Sequence, residues 1–269
     1  MHSPSFSQKK VPILTYHSID DRGTILSMPP EKFLYQMQVI KDRSFNTISL
    51  EQLITCIREN QPFPDKSVAI TFDDGFKNIY QTAYPILKKF GLKATVFLVP
   101  GCVSRSSEWN AHVEGLRSID LINWDEAKEM SENNIDFGSH TVHHRDLSKV
   151  PLSMAREEII KSRLIIQQHI GKDVPFFAYP YGSFNQEVRT IVEQTYKAAL
   201  TTTLGFVDRK SSLFALPRID MYYFSKNNFF KLIGTSFFSL YVYLRRFPRL
   251  IRTSLMSSRG TNKFQAAMH

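Results

Sequence analysis

The chain has 269 residues, of which 42% are hydrophobic and 22% are charged. This composition supports a sizeable buried core and excludes disorder of the whole chain, and the length suits one large domain. Cys56 and Cys102 are the only cysteines. We therefore expect no disulfide framework, and both cysteines are predicted to be reduced core residues.

The formal net charge of +9 is concentrated towards the C-terminus. Residues 226–269 contain eight basic residues and no Asp or Glu, so residues 1–225 carry only +1. The eight basic residues are Lys226, Lys231, Arg245, Arg246, Arg249, Arg252, Arg259 and Lys263. Basicity is therefore a property of this tail and says little about the body of the chain.

Short apolar runs alternate along the chain with amphipathic stretches of helical period. In chain order, the runs predict strands at 11–16, 44–49, 67–72, 94–99, 135–138, 176–179 and 198–202. The amphipathic stretches predict helices at about 30–40, 50–58, 79–90, 124–132, 152–170 and 186–196. Strands that alternate with helices at this spacing predict a parallel α/β sheet or barrel.

Several predicted strands are followed by polar residues that could take part in chemistry. These residues are His17, Asp73, Asp74, His140, His144 and Tyr181. In a parallel barrel, the C-terminal ends of the strands share one face, where active-site loops gather. We therefore expect these side chains, which are far apart in the sequence, to converge there.

Asp73 and Asp74 stand side by side after a buried strand, and two interpretations are open. One carboxylate could bind a metal while the other takes a proton from a water molecule. Alternatively, the Asp-Asp-Gly sequence could form a turn and a helix N-cap, because these residues favour turns. Taken alone, the pair favours the turn.

Three histidines within residues 140–144 change that balance. Two imidazoles four residues apart could reach one metal from a single helical turn. Together with a carboxylate from Asp74, His140 and His144 would form a site with open positions for water and substrate. Such a ligand set suits zinc, and also iron, cobalt, nickel or manganese. The sequence therefore favours a metal site over a chance cluster.

Three ordered motifs resemble those of the polysaccharide deacetylases, the NodB-homology group of carbohydrate esterase family 4. Residues 71–75, Thr-Phe-Asp-Asp-Gly, resemble the first motif, and residues 139–144, Ser-His-Thr-Val-His-His, resemble the second. Residues 177–182, Phe-Ala-Tyr-Pro-Tyr-Gly, resemble the third motif, which forms one wall of the family's groove. Residues 124–126, Trp-Asp-Glu, are similar to the family's sequence upstream of the second motif. The resemblance covers about residues 11–222 and implies a distorted (β/α) barrel of about seven parallel strands.

The resemblance implies a metal-dependent hydrolase that removes an N-acetyl group from an amino sugar in a glycan or a lipid-linked saccharide. Carried over by position, Asp74, His140 and His144 would bind a divalent metal, with zinc as the expected ion. Asp73 would be the general base that activates the attacking water. The backbone N–H of Tyr181 would stabilise the oxyanion together with the metal.

The family's usual source of the general acid, a late leucine-x-histidine motif, is missing from this sequence. The histidines after the second motif are His169, within a predicted helix, and His269, the last residue. Residues 13–17, Ile-Leu-Thr-Tyr-His, instead resemble the permuted poly-N-acetylglucosamine deacetylase branch, in which an early Tyr-His supplies the acid. His17 is therefore the candidate acid. The alternative is a strand-end histidine that a neighbouring carboxylate satisfies.

A second departure from the family pattern is Ala178, because many members carry an arginine there that orients the catalytic aspartate. Residues 216–220, Leu-Pro-Arg-Ile-Asp, resemble a closing segment of the permuted branch. Arg218 is therefore the candidate replacement for the missing arginine. The alternative is a surface arginine in an ordinary loop, in which case activity could be weak.

The tail, residues 226–269, follows a predicted catalytic domain of residues 1–225. Its aromatic, apolar stretch at 229–244 is shorter than the roughly 20 residues of a membrane-spanning helix, and basic residues follow at once. The tail is predicted to be an amphipathic anchor on an anionic membrane surface. A C-terminal helix packed on the barrel, with a disordered basic end, is an equal alternative. Nucleic-acid binding is less favoured, because no recognised module accompanies the charge.

The first ten residues carry no apolar run of signal-peptide length. We therefore expect a cytoplasmic location, with peripheral attachment to the inner membrane face as an alternative. Deacetylation is the leading function. Its rival is a catalytically weak or inactive glycan-binding or scaffold domain of the same fold, and an unrelated metal-dependent phosphoesterase is a third candidate.

Overall fold

The computed structural model of the protein describes residues 9–107, 109, 118–225 and 228–246. The chain divides into two compact units, Met1–Asn228 and Phe229–His269. The domain boundary predicted between residues 225 and 226 stays a prediction, and residues 247–269 of the predicted tail lie outside the described residues.

The first unit contains strands that follow one another through most of its length. In chain order they are β1 (Ile13–Tyr16), β2 (Ser18–Ile19), β3 (Ser27–Met28), β4 (Asn46–Thr47), β5 (Ser67–Phe72), β6 (Ala94–Leu98), β7 (Ile135–Ser139), β8 (Phe176–Ala178), β9 (Ala198–Leu204) and β10 (Leu216–Asp220). The sequence located β5 correctly and placed the ends of the other predicted strands within a few residues.

Seven parallel strands of the described chain close into a barrel. Their order is β1, β10, β9, β8, β7, β6 and β5, and β5 pairs back with β1. Outside this ring, β4 extends the sheet beside the start of β5, and β2 pairs with β3. The predicted distorted (β/α) barrel of about seven strands is confirmed.

Helices lie between the barrel strands along the chain, as the alternating pattern predicted. They are α1 (Pro30–Asp42), α2 (Leu50–Arg58), α3 (Tyr84–Phe90), α4 (Trp124–Ser131), α5 (Leu152–Ile170) and α6 (Gln186–Thr195). Three helices have a short polar N-cap residue whose side chain accepts a hydrogen bond from a backbone N–H of the first turn. These residues are Ser49 for α2, Asn123 for α4 and Asn185 for α6. Such N-caps typically stabilise a helix by about 1 kcal/mol each.

The core consists of apolar side chains from the strands and the helices that cover them. One buried cluster joins β1, β5, β6, β8, β9 and β10 with α2, and a second joins β8 and β9 with α5 and α6. β5 and β6 are buried along their whole length, which explains why they read as continuous apolar runs.

The strand β10 is missing from the sequence prediction, which ended at residues 198–202. Pro217 argues against a strand at this position in the sequence, because proline has no backbone N–H and is rare inside a sheet. The pairing of β10 with β9 shifts register between Leu216 and Arg218, so the proline lies at an irregularity. The segment 79–90 also differs from a simple helix, since Ile79–Ala83 is a π-helix that leads into α3.

The second unit is described as far as residue 246. A 3₁₀ turn at Phe229–Leu232 is followed by an α-helix over 236–246. Within this unit the rings of Phe229 and Tyr241 lie 5.1 Å apart, and those of Phe230 and Phe238 lie 6.4 Å apart. Among the described residues, no helix has the length and apolar character needed to span a membrane.

Candidate metal and catalytic centre

Strand β5 brings Asp73 and Asp74 to the C-terminal end of the barrel. The Asp73 N–H donates to the Tyr16 carbonyl oxygen at 3.0 Å, which extends the pairing with β1. Asp74 then adopts a left-handed conformation with φ of 71°, and Gly75 follows with φ of 72°. L side chains rarely adopt this φ, and a Cβ on Gly75 would also lie 2.6 Å from Leu98 Cδ2, so the turn favours glycine. Left-handed non-glycine residues such as Asp74 concentrate at functional sites.

Asp74, His140 and His144 form a group that could hold a metal ion. One donor atom from each residue lies within 4.8 Å of the other two. Asp74 Oδ1 is 3.6 Å from His140 Nε2 and 3.3 Å from His144 Nε2, and all three residues are buried. The structure therefore brings together the two histidines and one carboxylate that the sequence proposed as ligands.

The two histidines reach this point from a loop, and the single helical turn suggested by their spacing is wrong. Residues 140–144 are not helical, and both Thr141 (φ 65°) and His144 (φ 55°) are left-handed. The third histidine, His143, is turned towards Glu158, whose Oε1 lies 2.7 Å from His143 Nδ1. Glu158 Oε2 also accepts the His143 backbone N–H at 2.9 Å. These contacts hold His143 outside the metal group.

The protonation and bonding of these atoms fit a cation. His140 Nδ1 donates to the Ala178 carbonyl oxygen at 2.6 Å, which leaves the Nε2 lone pair for a metal. Burial lowers the pKa of His140 to about 4, so its ring is neutral at physiological pH. Among the described residues, the buried Asp74 Oδ1 has no hydrogen-bond partner. A buried carboxylate oxygen in this state is costly unless a cation compensates it.

Arg218 holds the second carboxylate, that of Asp73. Its Nη1 and Nη2 donate to Asp73 Oδ1 and Oδ2, both at 2.7 Å, and its Nε donates to the Thr201 carbonyl oxygen at 2.9 Å. Burial raises the pKa of Asp73, but the positive charge of Arg218, with smaller effects from His140 and His17, keeps it well below its usual range. Asp73 is therefore a fixed, ionised carboxylate.

The position of Arg218 decides between the two interpretations of this residue, a surface arginine or an arginine that orients Asp73. Arg218 is only 3% exposed and belongs to β10, so the surface arginine in an ordinary loop is wrong. Its guanidinium contacts both carboxylate oxygens of Asp73, and its replacement of the missing arginine at Ala178 stays a prediction. Whether this contact supports catalysis stays a prediction.

His17 lies beside Asp73 because of strand register. Tyr16 in β1 pairs with Phe72 in β5, so the next residue of each strand emerges at the same level. His17 Nε2 is 3.8 Å from Asp73 Oδ2, which is beyond hydrogen-bond distance. The His17 side chain is 22% exposed and thus accessible from outside the buried centre. Its role as general acid stays a prediction.

A polar network behind His17 was not anticipated from the sequence. Asn78 Nδ2 donates to Ser18 Oγ at 2.6 Å and to Asp20 Oδ2 at 3.3 Å, and Asn78 Oδ1 accepts the Ile19 N–H at 3.1 Å. We call Asn78 and residues 18–20 the Asn78 clasp. It ties the chain that follows His17 to the chain that follows Asp73, and only its serine, aspartate and asparagine content hinted at it.

Aromatic rings cover His144 from two sides. The Trp109 ring stacks on it at 4.9 Å with an interplanar angle of 19°, and the Tyr181 ring meets it edge-on at 4.8 Å. Tyr181 is 53% exposed and left-handed, with φ of 60°, inside the 3₁₀ turn Pro180–Gly182. A Cβ on Gly182 would lie 2.2 Å from Thr202 Oγ1, which fixes glycine after Tyr181. Trp109 belongs to none of the motifs recognised in the sequence.

A family model described as polysaccharide deacetylase matches residues 60–199 of the chain. This match covers slightly more than half of the sequence, and it includes both carboxylates of the first motif, the histidine loop and the Tyr181 turn. It leaves out β1 with His17 and β10 with Arg218, which complete the centre in space.

Individual proteins are similar over a longer stretch. YxkH of Bacillus subtilis is 29% identical over 211 residues, which cover 78% of this chain and 71% of that protein. The poly-beta-1,6-N-acetyl-D-glucosamine N-deacetylase of Staphylococcus aureus strain MRSA252 is 29% identical over 203 residues, covering 72% and 67%. The structure of the Streptococcus pyogenes deacetylase PplD in complex with acetate superposes with a TM-score of 0.69 at 29% identity, covering 78% of this chain and 92% of that one.

Proposed function

Since this chain belongs to the polysaccharide deacetylase family, we propose that it removes an N-acetyl group from an amino sugar in a glycan or a lipid-linked saccharide. The reaction is hydrolysis of the amide, and it depends on a divalent metal, with zinc as the expected ion. The substrate class is supported by the Staphylococcus aureus relative, whose name specifies a polymer of N-acetylglucosamine.

The observation that carries this proposal is that one buried centre contains two carboxylates with different bonding partners. Asp74 faces His140 and His144, whereas Asp73 is bonded through both oxygens to Arg218. Two neighbouring carboxylates with such different environments take different chemical roles. Asp74, His140 and His144 would hold the metal, and Asp73 would act on the proton of the water.

In this proposal the metal, when bound, polarises the amide carbonyl and acidifies the attacking water. Asp73 is ionised at neutral pH and accepts the proton of that water as the new C–O bond forms. The low pKa of Asp73 makes it a weak base, so it depends on an acidified water.

The remaining steps concern the oxyanion and the leaving group. The Tyr181 backbone N–H, in the left-handed turn beside His144, donates to the oxygen that becomes negative. When the C–N bond breaks, the nitrogen leaves as the amine of the sugar and needs a proton. His17, partly exposed and 3.8 Å from Asp73, donates that proton, and acetate is the second product.

Acetate release tests the proposal directly. We expect the zinc-loaded full chain to release acetate from oligomers of N-acetylglucosamine, and Asp73→Asn to lower the rate by about 10²–10⁴-fold. Asp173→Asn is the matched control, because Asp173 is also paired with an arginine, Arg163, at 2.8 Å but lies before β8 at the opposite end of the barrel. The control should keep wild-type activity.

The rival glycan-binding domain predicts a different outcome. Saturable binding of the oligomers without any Asp73-dependent acetate release would contradict the proposal and support the rival. Release of phosphate from model phosphoesters would point to the phosphoesterase instead. The sequence suggested the rival because of Ala178 and because of the relocated acid, and the contact between Arg218 and Asp73 weakens the first of these two reasons.

A further inference from the structure

We propose that the second unit docks the protein onto an anionic lipid bilayer surface through one face of the helix at 236–246. The apolar side chains of this face enter the outer part of the bilayer, while basic residues contact the lipid headgroups. This inference does not depend on the proposed deacetylase activity, because its residues lie outside the catalytic centre.

The face is defined by three large apolar side chains. Phe237, Leu240 and Leu244 are spaced by three and four residues, so they lie on one side of the helix. They are 72%, 52% and 58% exposed, respectively. We call these three residues the outer stripe.

The same helix has a second apolar stripe that is already buried. Phe238 and Val242 are 1% and 2% exposed, and the Phe238 ring contacts Phe230 within the unit. The helix therefore buries one apolar face without using the outer stripe. A contiguous apolar stripe left at the surface of a helix marks an interaction site.

The charge around the outer stripe indicates the kind of partner. Arg245 and Arg246 are exposed at the end of the described helix, and the Arg245 guanidinium lies 5.3 Å from the Tyr241 ring centre. The sequence from residue 226 to 269 has eight basic residues and no acidic one. Exposed aromatic and aliphatic side chains beside basic residues are typical of helices that lie on anionic membranes.

Two other partners fit less well. A nucleic acid would bind the basic residues through its phosphates, but it would leave Phe237, Leu240 and Leu244 exposed to water. A second copy of the chain would bring two strongly basic segments together, and like charges repel.

The helix would lie in the plane of the membrane. The aromatic, apolar stretch at 229–244 has 16 residues, fewer than the roughly 20 that a membrane-spanning helix needs. The apolar face is also one-sided, which suits burial on the surface of a bilayer better than insertion through it.

Vesicle sedimentation of the full chain tests the proposal. We expect the protein to sediment with vesicles of phosphatidylcholine and phosphatidylglycerol, much less with phosphatidylcholine alone, and less at high salt. The variant Phe237→Ser/Leu240→Ser/Leu244→Ser should bind the anionic vesicles at least about tenfold more weakly, because it removes the buried apolar area.

The matched control replaces three exposed apolar residues of the first unit. Ile25→Ser/Leu152→Ser/Leu164→Ser changes side chains that are 61%, 45% and 57% exposed, and it should bind vesicles like the wild type. The proposal is overturned if the wild type does not sediment with anionic vesicles, or if the outer-stripe variant binds as the wild type does. It is also overturned if the outer stripe only holds two copies of the chain together, which light scattering without vesicles would reveal. Binding to duplex DNA in place of vesicles would overturn it as well.

Discussion

At the scale of single residues, the contact between Arg218 and Asp73 combines charge and geometry. The two residues are 145 positions apart, both are almost fully buried, and two hydrogen bonds of 2.7 Å join them. Transfer of either charge from water into the protein is costly, and the partner offsets that cost. Because the guanidinium engages both oxygens, it also fixes the plane of the carboxylate.

Removing Arg218 should therefore affect both stability and activity. We expect Arg218→Met to lower the free energy of unfolding by about 3–5 kcal/mol, because it leaves the Asp73 charge buried without its partner. Urea unfolding followed by circular dichroism measures this change. Acetate release should fall as well, since the carboxylate is no longer oriented.

The double variant Asp73→Asn/Arg218→Met separates the charge effect from simple loss of packing. With no charge left in the pair, it should be more stable than Arg218→Met alone. If the double variant is as unstable as the sum of the two single variants, the ion pair does not account for the stability of this centre.

The role proposed for His17 can be tested through the leaving group. An amine must be protonated to leave, whereas 4-nitrophenolate leaves without a proton. We expect His17→Gln to lower kcat/KM for the N-acetyl amide by about 10²–10⁴-fold. Hydrolysis of 4-nitrophenyl acetate by the same variant should change little.

His143→Gln is the control for this experiment, because His143 faces Glu158 and does not join the centre. It should leave both reactions close to the wild-type rate. Equal loss of amide and ester hydrolysis in His17→Gln would contradict an acid role and would indicate that His17 only positions Asp73.

At the scale of secondary-structure elements, the Asn78 clasp connects the two loops that carry His17 and Asp73. Asn78 contributes three hydrogen bonds to residues 18–20, two as donor and one as acceptor. Asp20 also accepts from Ser18 and, at 2.6 Å, from Ser27, so the chain after β1 is held at several points. We expect the distance between His17 and Asp73 to depend on this arrangement.

Asn78→Ala should therefore lower kcat for the amide more than it raises KM, with only a small loss of stability of about 1 kcal/mol. Because the misplaced group is the acid, hydrolysis of 4-nitrophenyl acetate should be less affected. Asn133→Ala is a matched control, since Asn133 is also half-buried and its side chain donates to the Glu129 carbonyl oxygen at the end of α4. Loss of amide and ester activity in equal measure would show that the clasp does not act through His17.

The elements that the sequence predicted well are those whose signals are local. The apolar periods and the short motifs identified the helices, most of the strands and the proposed ligands. β10 was missed because Pro217 breaks the local signal, although the barrel does not close without this strand. The stacking of Trp109 on His144 and the Asn78 clasp join distant parts of the chain, and no local pattern encodes such contacts. The closing segment at 216–220 pointed to Arg218 in the sequence, but its two hydrogen bonds to Asp73 became visible only in the structure.

At the scale of the whole molecule, barrel closure explains why a histidine near the N-terminus can complete a centre built from the middle of the chain. β1 lies between β5 and β10, with Tyr16 opposite Phe72 and Thr15 opposite Asp220. His17 therefore emerges between the strand that carries Asp73 and the strand that carries Arg218. Sequence order is thus a poor guide to the neighbours in this centre, and strand order in the ring is the better one.

The proposed ligands also connect separate parts of the barrel, so metal binding should stabilise the fold. Asp74 follows β5, and His140 and His144 follow β7, with β6 between them. A ligand that binds only the folded state at 100 times its Kd adds about 2.7 kcal/mol. For a chain of this size, zinc should then raise Tm by roughly 5–10 °C over the chelator-treated protein.

Calorimetry of the zinc-loaded and chelator-treated chain measures this shift without any substrate. His144→Ala should remove most of the zinc-dependent rise in Tm, because it deletes one of three ligands. His143→Ala should keep the full rise, because the His143 side chain bonds to Glu158 and lies outside the metal group. A rise that survives in His144→Ala and disappears in His143→Ala would place the metal elsewhere and would remove the basis for separating the roles of Asp73 and Asp74.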